Sequence, residues 1–400
     1  MSNNFDVIIL GGGCAGLSLA TRLASLGGAC PRVVVLEGRA GYTHDRTWCF
    51  FKDLEAPAQH SVQHEWSSMR VKSPESCVTL DCASMPYQMV HAGQFYHSAQ
   101  SIISQSAQVD LRMDVAITKA PEKRDGRWRV DTGVGAFHAR YVIDTRPAKR
   151  PERDGAKLWQ SFYGQEIECS VDMFDPICGD LMDFSAANAC GAQAAFPDAV
   201  SFVYVLPTTA RRALLEFTVF GPDPLNPDLL HDLHTKAVMQ RVGNTDFSVL
   251  RSEHGVLPMG TQHSVSSHDA SYVFAGLTAG GARPSSGYAF ARIQRWAASC
   301  ADALGSGRAP VGHAPDGLIL RAMDALFLKL VRAHPQAAPE LFTALFAGTD
   351  NQSLIRFLSD RATLADYVRV IAALLPRPLL RALTGRTRQN RSVLPLLEVQ

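Results

Sequence analysis

No two cysteines in this 400-residue chain have C-x-x-C spacing, and their number, nine, is odd. A disulfide framework and a zinc site are therefore both disfavoured, and a reducing cytoplasm is the expected home. The 13 histidines show no H-E-x-x-H or similar spacing, so a metal site has no support. An excess of one charge is also missing. The 39 Lys and Arg against 38 Asp and Glu leave +1, which argues against nucleic acid as a main partner. No run approaches the ~18 apolar residues of a membrane span, and no basic stretch precedes the short apolar run near Phe5, so no signal peptide is expected. Internal repeats and low-complexity segments are absent too. With 46% hydrophobic and 19% charged residues, the chain reads as globular. It is expected to be soluble, or to sit on a membrane surface without crossing it.

A positional motif comes first. Phe5 to Leu10, a β-branched run suited to a buried parallel strand, leads into Gly11-Gly12-Gly13-Cys14-Ala15-Gly16. Helical spacing follows at Leu17, Ala20, Leu23 and Ala24 and stops at Gly27-Gly28. A second strand, Arg32 to Leu36, closes on Glu37. Gly11 suits the tight turn, Gly13 the approach of a pyrophosphate to the backbone, and Gly16 close packing of helix on strand. The helix N-terminus offers free N–H groups to the phosphates, and Glu37 can take ribose hydroxyls.

An early fingerprint with no second copy suits a tightly held FAD better than NAD, by analogy. Phe137 to Asp144 alternates and ends on an acid, as a strand returning to the same sheet would. Ser271 to Gly276 reads as another buried strand, and a Gly-rich loop containing Gly280, Gly281 and Gly287 leads into a helix through Ile293, Trp296 and Ala297. The loop's backbone N–H groups can serve the flavin ring. Asp144, Gly276, Gly280, Gly281 and Gly287 join Gly11, Gly13, Gly16 and Glu37 as candidate cofactor residues. Arg46 and Trp48 follow the Glu37 strand, where loops pass near adenine or flavin. Arg46 is a further cofactor candidate, whereas Trp48 reads better as core. One departure stands out: flavin hydroxylases usually carry Gly-Asp at this strand end, whereas here Gly276 precedes Leu277.

Several strings then resemble one family, the flavin-dependent lycopene cyclases. They are Asp45 to Phe50, Val142 to Pro147, Leu158 to Gly164, Phe174-Asp175-Pro176, Leu181 to Phe184, Phe202 to Pro207, Ala213 to Phe220, Glu253 to Met259, Phe342 to Phe346 and Arg356 to Ser359. The resemblance lies in their order and spacing along nearly the whole chain. It implies ring closure at the end of a linear polyene without net redox change: alkene protonation, cyclisation of the carbocation, then loss of a proton. It also implies reduced FAD, with NAD(P)H as reductant.

The middle of the chain carries the acid candidates. In Ala213 to Phe220, Leu214, Glu216, Thr218 and Phe220 share one face of a strand, and Leu215, Phe217 and Val219 the other. A lone carboxyl among apolar groups has its pKa raised and can protonate an alkene. The resemblance also points to Glu216 as catalytic; the plainer reading is a solvated face shared with Thr218. Asp183 is a second catalytic candidate, or a turn residue bonding a backbone N–H. Glu253 is structural on the same reasoning.

From Asp316 the spacing turns helical (Leu318, Leu320, Met323, Leu326, Phe327, Leu330; then Leu354, Phe357, Leu358), with a further helix over Tyr367 to Leu375. Six arginines and no acid lie between Tyr367 and Leu397. That tail suits either a packed layer with a solvated end or contact with the inner face of the cell membrane.

The expected fold is α/β: a Rossmann-type parallel-sheet FAD domain (1–80, 100–155, 258–315), an inserted antiparallel-sheet substrate domain (81–99, 156–257) and a C-terminal helical region (316–400), as in flavin hydroxylases. The expected function is a flavin-dependent polyene cyclase. The alternatives are a flavin monooxygenase, or a cyclase-like enzyme recruited to a different polyene or polyketide.

Overall fold

The computed structural model describes residues 3–52, 61–147, 156–260 and 269–374. Four β-branched and apolar segments build the centre of its first sheet. Asn4–Leu10 lies parallel to Val33–Leu36 on one side and to Gly135–Asp144 on the other, and Val109–Arg112 extends the sheet beyond Val33–Leu36. Every residue of Val33–Leu36 is buried, as expected for a strand covered on both faces. Arg127–Thr132 and Glu122–Arg124 add an antiparallel edge, and Tyr272–Phe274 returns parallel to the end of Gly135–Asp144. Helices Cys14–Ala24, Ala92–Ser104 and Phe290–Gly305 pack one face through Leu17, Leu23, Phe95, Ile103, Ile293 and Trp296.

A second seven-stranded sheet runs in the order Phe247–Met259, Leu158–Cys169, Arg212–Gly221, Val200–Pro207, Cys178–Asp183, Ser68–Lys72, Cys77–Asp81. Its two faces have different covers. Leu215, Phe217 and Val219 pack under helix Pro227–Val242, while Leu214, Phe202 and Phe220 face the layer of C-terminal helices. Those helices are Leu318–Ala333, Ala338–Gly348, Asn351–Leu358 and Leu364–Leu374. A three-stranded sheet, Val62–Trp66, Tyr87–His91 and Thr47–Phe51, completes the fold.

Two expected boundaries move. Ser68–Lys72 and Cys77–Asp81 belong to the second sheet rather than the nucleotide domain, because Ser68–Lys72 pairs parallel with Cys178–Asp183. Ala92–Ser104 belongs with the nucleotide domain, because Ala92, Phe95, Tyr96 and Ala99 bury against its core. The basic tail beyond Leu374 lies outside the described residues. Among the described residues no helix is long and apolar enough to cross a membrane, and no group of three His, Cys, Asp or Glu is placed to hold a metal ion.

Candidate active site

Strand Asn4–Leu10 delivers the chain to Gly11, whose φ of +94° suits only glycine well. Gly13, extended, is the N-cap of helix Cys14–Ala24, and among the described residues no side chain caps that helix, so its first N–H groups are available to an anion. A Cβ on Gly13 would meet nothing within 4 Å, whereas one on Gly16 would lie 2.0 Å from the Gly11 carbonyl oxygen. The first glycine keeps space open above the turn; the second lets the helix press onto the strand. Glu37 is buried and accepts from Gly12 N at 2.6 Å, Arg39 N at 2.8 Å and Arg39 Nε at 3.0 Å. Burial opposes its charge, but these hydrogen bonds and the Arg39 guanidinium prevail and hold its carboxyl below the usual range. Arg46 is exposed, pairs with Asp45 at 2.8 Å, and lies close enough to Cys14, the first helical residue, for its charge to act there. An open cradle over Gly13, an uncapped helix end, an acid at the next strand end and a nearby guanidinium fit a dinucleotide pyrophosphate and its ribose.

Asp144 closes the adjacent strand. It is buried and holds Arg146 at 2.6 Å and the Tyr272 hydroxyl at 2.8 Å, so its role in this structure is to tie strand ends together. After Tyr272–Phe274, Gly276 has φ +92° and donates its N–H to His313 Nε2 at 3.1 Å. Gly281 donates to the Gly276 carbonyl at 2.9 Å, and a Cβ there would come within 2.4 Å of that oxygen. Gly280 and Gly287 have positive φ. The loop therefore folds back tightly beside the phosphate turn: a Cβ on Gly276 would sit 3.3 Å from Ala15 Cβ, and one on Gly287 3.1 Å from Gln160 Oε1 of the second sheet.

That second sheet presents the acid. Cross-strand register aligns Tyr204, Glu216, Gly164 and Glu253 on four adjacent strands. Glu216 is half-buried, and Thr218 Oγ1 donates to it at 2.7 Å. Burial and then the charge of Glu253 push its carboxyl up to about 8, against the smaller opposing effects of Thr218 and Arg251. Beside it lies a ladder of ion pairs. Arg212 Nε donates to Glu166 at 2.6 Å, Arg251 Nε donates to Glu166 at 2.7 Å, Arg251 also donates to Glu253, and Thr47 Oγ1 donates to Glu253 at 2.9 Å. Over the same face, Tyr204 donates to Tyr87 at 2.8 Å, and Tyr87 meets Tyr288 at 3.1 Å. Burial pushes all three phenols up, Tyr288 to about 12, so they remain neutral donors. The site thus brings together a carboxyl that burial and a neighbouring acid push up, three linked phenols and the apolar Leu214 and Phe220.

A family model for lycopene cyclase protein matches residues 6–384. The chain belongs to the lycopene cyclase family. One relative, lycopene beta-cyclase of Pantoea ananas, is 24% identical over 410 residues, 96% of this chain and 98% of the relative. Solved structures share the fold at low identity. A geranylgeranyl bacteriochlorophyll reductase-like protein of Thermoplasma acidophilum has a TM-score of 0.61 at 13% identity, covering 95% of this chain and 99% of that one. A p-nitrophenol 4-monooxygenase of Pseudomonas putida DLL-E4 has 0.59 at 14%, covering 96% and 99%. A halogenase in complex with FAD has 0.51 at 13%, covering 88% and 78%.

Within this lycopene cyclase family member, one sequence-based candidate moves away from the acid. Asp183 is the N-cap of helix Phe184–Ala189, accepting from Ala186 N at 2.9 Å and from Lys72 Nζ at 3.3 Å. Its register partner is Val203, which shares a face with Phe217 rather than with Glu216. Its carboxyl is thus held by a cap and an ion pair, the turn role that the sequence offers beside the catalytic one. Glu253, read as structural, instead stands in the acid's own row. Arg39, Arg251, Tyr87, Tyr204 and His313 were not singled out from sequence; only Arg251, two residues before Glu253 on one strand face, carried a readable signal.

Proposed function

We propose that this protein is a flavin-dependent, non-redox cyclase that closes a ring at the end of a linear polyene such as lycopene. The observation that carries the reading is the Glu216 carboxyl, pushed up to about 8 by burial and by Glu253, on a sheet face that it shares with Leu214 and Phe220. Gly13, Gly16 and the helix end behind them would hold the FAD pyrophosphate, Glu37 its ribose, Arg46 a phosphate, and the loop from Gly276 to Gly287 the ring side. When bound and reduced, with NAD(P)H as reductant, FAD supplies negative charge that stabilises a cation.

The residues of this chain do the rest. Glu216 delivers its proton to the terminal alkene, and the cation left on the neighbouring carbon is attacked by the next double bond. Loss of a proton from the ring creates the product alkene, so the product is an isomer of the substrate. Leu214, Phe202 and Phe220 exclude water from the cation, and neutral Tyr204 and Tyr87 add polarisable faces without a competing anion. The polyene dissolves in lipid, and Leu318, Leu364 and Val368 are exposed on two C-terminal helices, which supports contact with the cytoplasmic membrane face.

Purified protein, reduced under anaerobic conditions and given lycopene in liposomes, is expected to yield a product of unchanged mass with a shortened absorbing system. The fold is shared with a monooxygenase, so a flavin hydroxylase is the second reading. A product gaining an oxygen atom, with an absolute need for O₂, would establish that reading and remove the first.

A further inference from the structure

Two carboxyls stand on one sheet face with a single strand between them. Gly164 is the register partner of Glu216 on one side and of Glu253 on the other. A Cβ on Gly164 would lie 3.3 Å from Glu216 Cβ and 3.4 Å from its Cγ, so the position separating the acids carries no side chain that could insulate them. Glu253 is buried, and both Arg251 and Thr47 donate to its Oε2, which requires an acceptor there. Arg251 is itself fixed: Nε donates to Glu166 at 2.7 Å and Nη2 to Thr47 Oγ1 at 2.5 Å, while Arg212 steadies Glu166 from the far side. The guanidinium is thus committed to Glu253 and Glu166. The groups acting on Glu216 are Glu253 and Arg251 from its second-neighbour strand and Thr218 from its own. Cys49 of Thr47–Phe51 lies near both acids, and Tyr204 faces Glu216 from Val200–Pro207.

Resting on the reading of Glu216 as the acid, we propose that Glu253 is a positioning residue: a clamped, buried anion across Gly164 that keeps the proton on Glu216 before the reaction and draws it back afterwards. The proton balance closes without any redox partner. The Glu216 O–H bond breaks as the new C–H bond forms. Later a ring C–H bond breaks as the product double bond forms, and that proton returns to Glu216. Between the two transfers, carboxylates face each other across a glycine. That like-charge arrangement disfavours ionised Glu216 and so favours its reprotonation. A second carboxylate serves catalysis here without touching the substrate.

The test reads the carboxyl itself. Infrared difference spectra of the folded, FAD-loaded protein, taken against Glu216→Gln, isolate the protonated Glu216 band, which is titrated with pH. Its midpoint should lie near 8 in the unaltered protein. In Glu253→Gln it should fall by about one unit or more, and the alkaline limb of the cyclisation rate should move down with it. Glu253→Asp, which restores the charge, should return both towards wild type. A wild-type midpoint in Glu253→Gln overturns the proposal, even if that variant is slow. If Glu253→Gln does not fold, Arg251→Met with Glu253→Gln, which removes the ion pair whole, is titrated against Arg251→Met alone: its Glu216 midpoint should be the lower, and equal midpoints overturn the proposal. Normal cyclisation by Glu216→Gln removes the acid reading and this proposal's catalytic part with it, whereas an unshifted band in Glu253→Gln removes this proposal alone.

Discussion

Tyr204 donates its hydroxyl to Tyr87 over 2.8 Å. Tyr87 is fully buried and meets Tyr288 at 3.1 Å, next to Gly287 at the end of the Gly-rich loop. Three phenols from three parts of the chain therefore tie the acid-bearing sheet, the small sheet and the loop together. Tyr87→Phe keeps the ring but strands the hydroxyls of half-buried Tyr204 and Tyr288. It should cost about 1–3 kcal/mol, read as a lower melting temperature, with FAD affinity falling as the loop loosens. Unchanged thermal stability would mean that the chain of hydroxyls holds nothing.

The glycines of the phosphate turn predict a contrast. Gly13 has an extended conformation and no neighbour within 4 Å of a built Cβ. Gly13→Val should therefore leave the melting temperature of cofactor-free protein near wild type and abolish flavin retention. Gly16→Ala drives a methyl into the Gly11 carbonyl and should lower both. Flavin absorbance after desalting, with melting curves of the apo forms, separates the two. Full flavin retention by Gly13→Val would move the cofactor elsewhere.

Arg283 fastens the loop to the C-terminal helices. It is buried, pairs with Asp324 at 3.1 Å, donates to the Phe357 carbonyl at 2.5 Å and covers the Phe357 ring at 4.4 Å. Arg283→Met leaves Asp324 buried with, among the described residues, only Ser285 Oγ, at 2.8 Å, to bond it. The cost should be about 3–5 kcal/mol, visible in denaturant unfolding. Asp324→Asn added to Arg283→Met should recover part of it, since the uncompensated charge is then gone.

What was legible in the sequence was local. The phosphate turn, its two strands and Glu37 lie within one short stretch, so glycine spacing and apolar runs sufficed to place them. The alternation that put Glu216 on a face with Leu214, Thr218 and Phe220 is likewise a property of one strand, and it matches the structure. Register is not local. Nothing in the order of residues says that Gly164 lies between Glu216 and Glu253, or that Tyr87 reaches Tyr204, because those pairings join segments that only the folded sheets bring together. The contact of Asp183 with Lys72 is hidden for the same reason: its cap on Ala186 N–H is local, but Lys72 comes from a distant strand. The strands at Ser68 and Cys77 join the second sheet through a pairing with Cys178–Asp183 that leaves no mark in their composition.

The acid itself gives the sharpest expectation, because its loss should change activity and stability in opposite directions. Glu216→Gln keeps the shape of the side chain and cannot deliver the proton, so cyclisation should fall by about 10²–10⁴-fold while FAD stays bound. Glu216→Asp withdraws the carboxyl by one methylene and should retain little. The carboxyl is pushed up to about 8 from an ordinary 4.5, so between those values the folded state holds more protons at this site than the unfolded state does. Stability contributed here is therefore lost as pH rises through that window. At pH 8 the neutral amide carries no such penalty, and Glu216→Gln should melt at a higher temperature than wild type. At pH 5, only just above the ordinary value, little of that loss has yet accrued, and the gain should shrink. In the wild type, cyclisation should persist below about pH 8 and decline above it. An inactive variant that is also less stable at pH 8 would point to a structural carboxyl rather than a strained functional one.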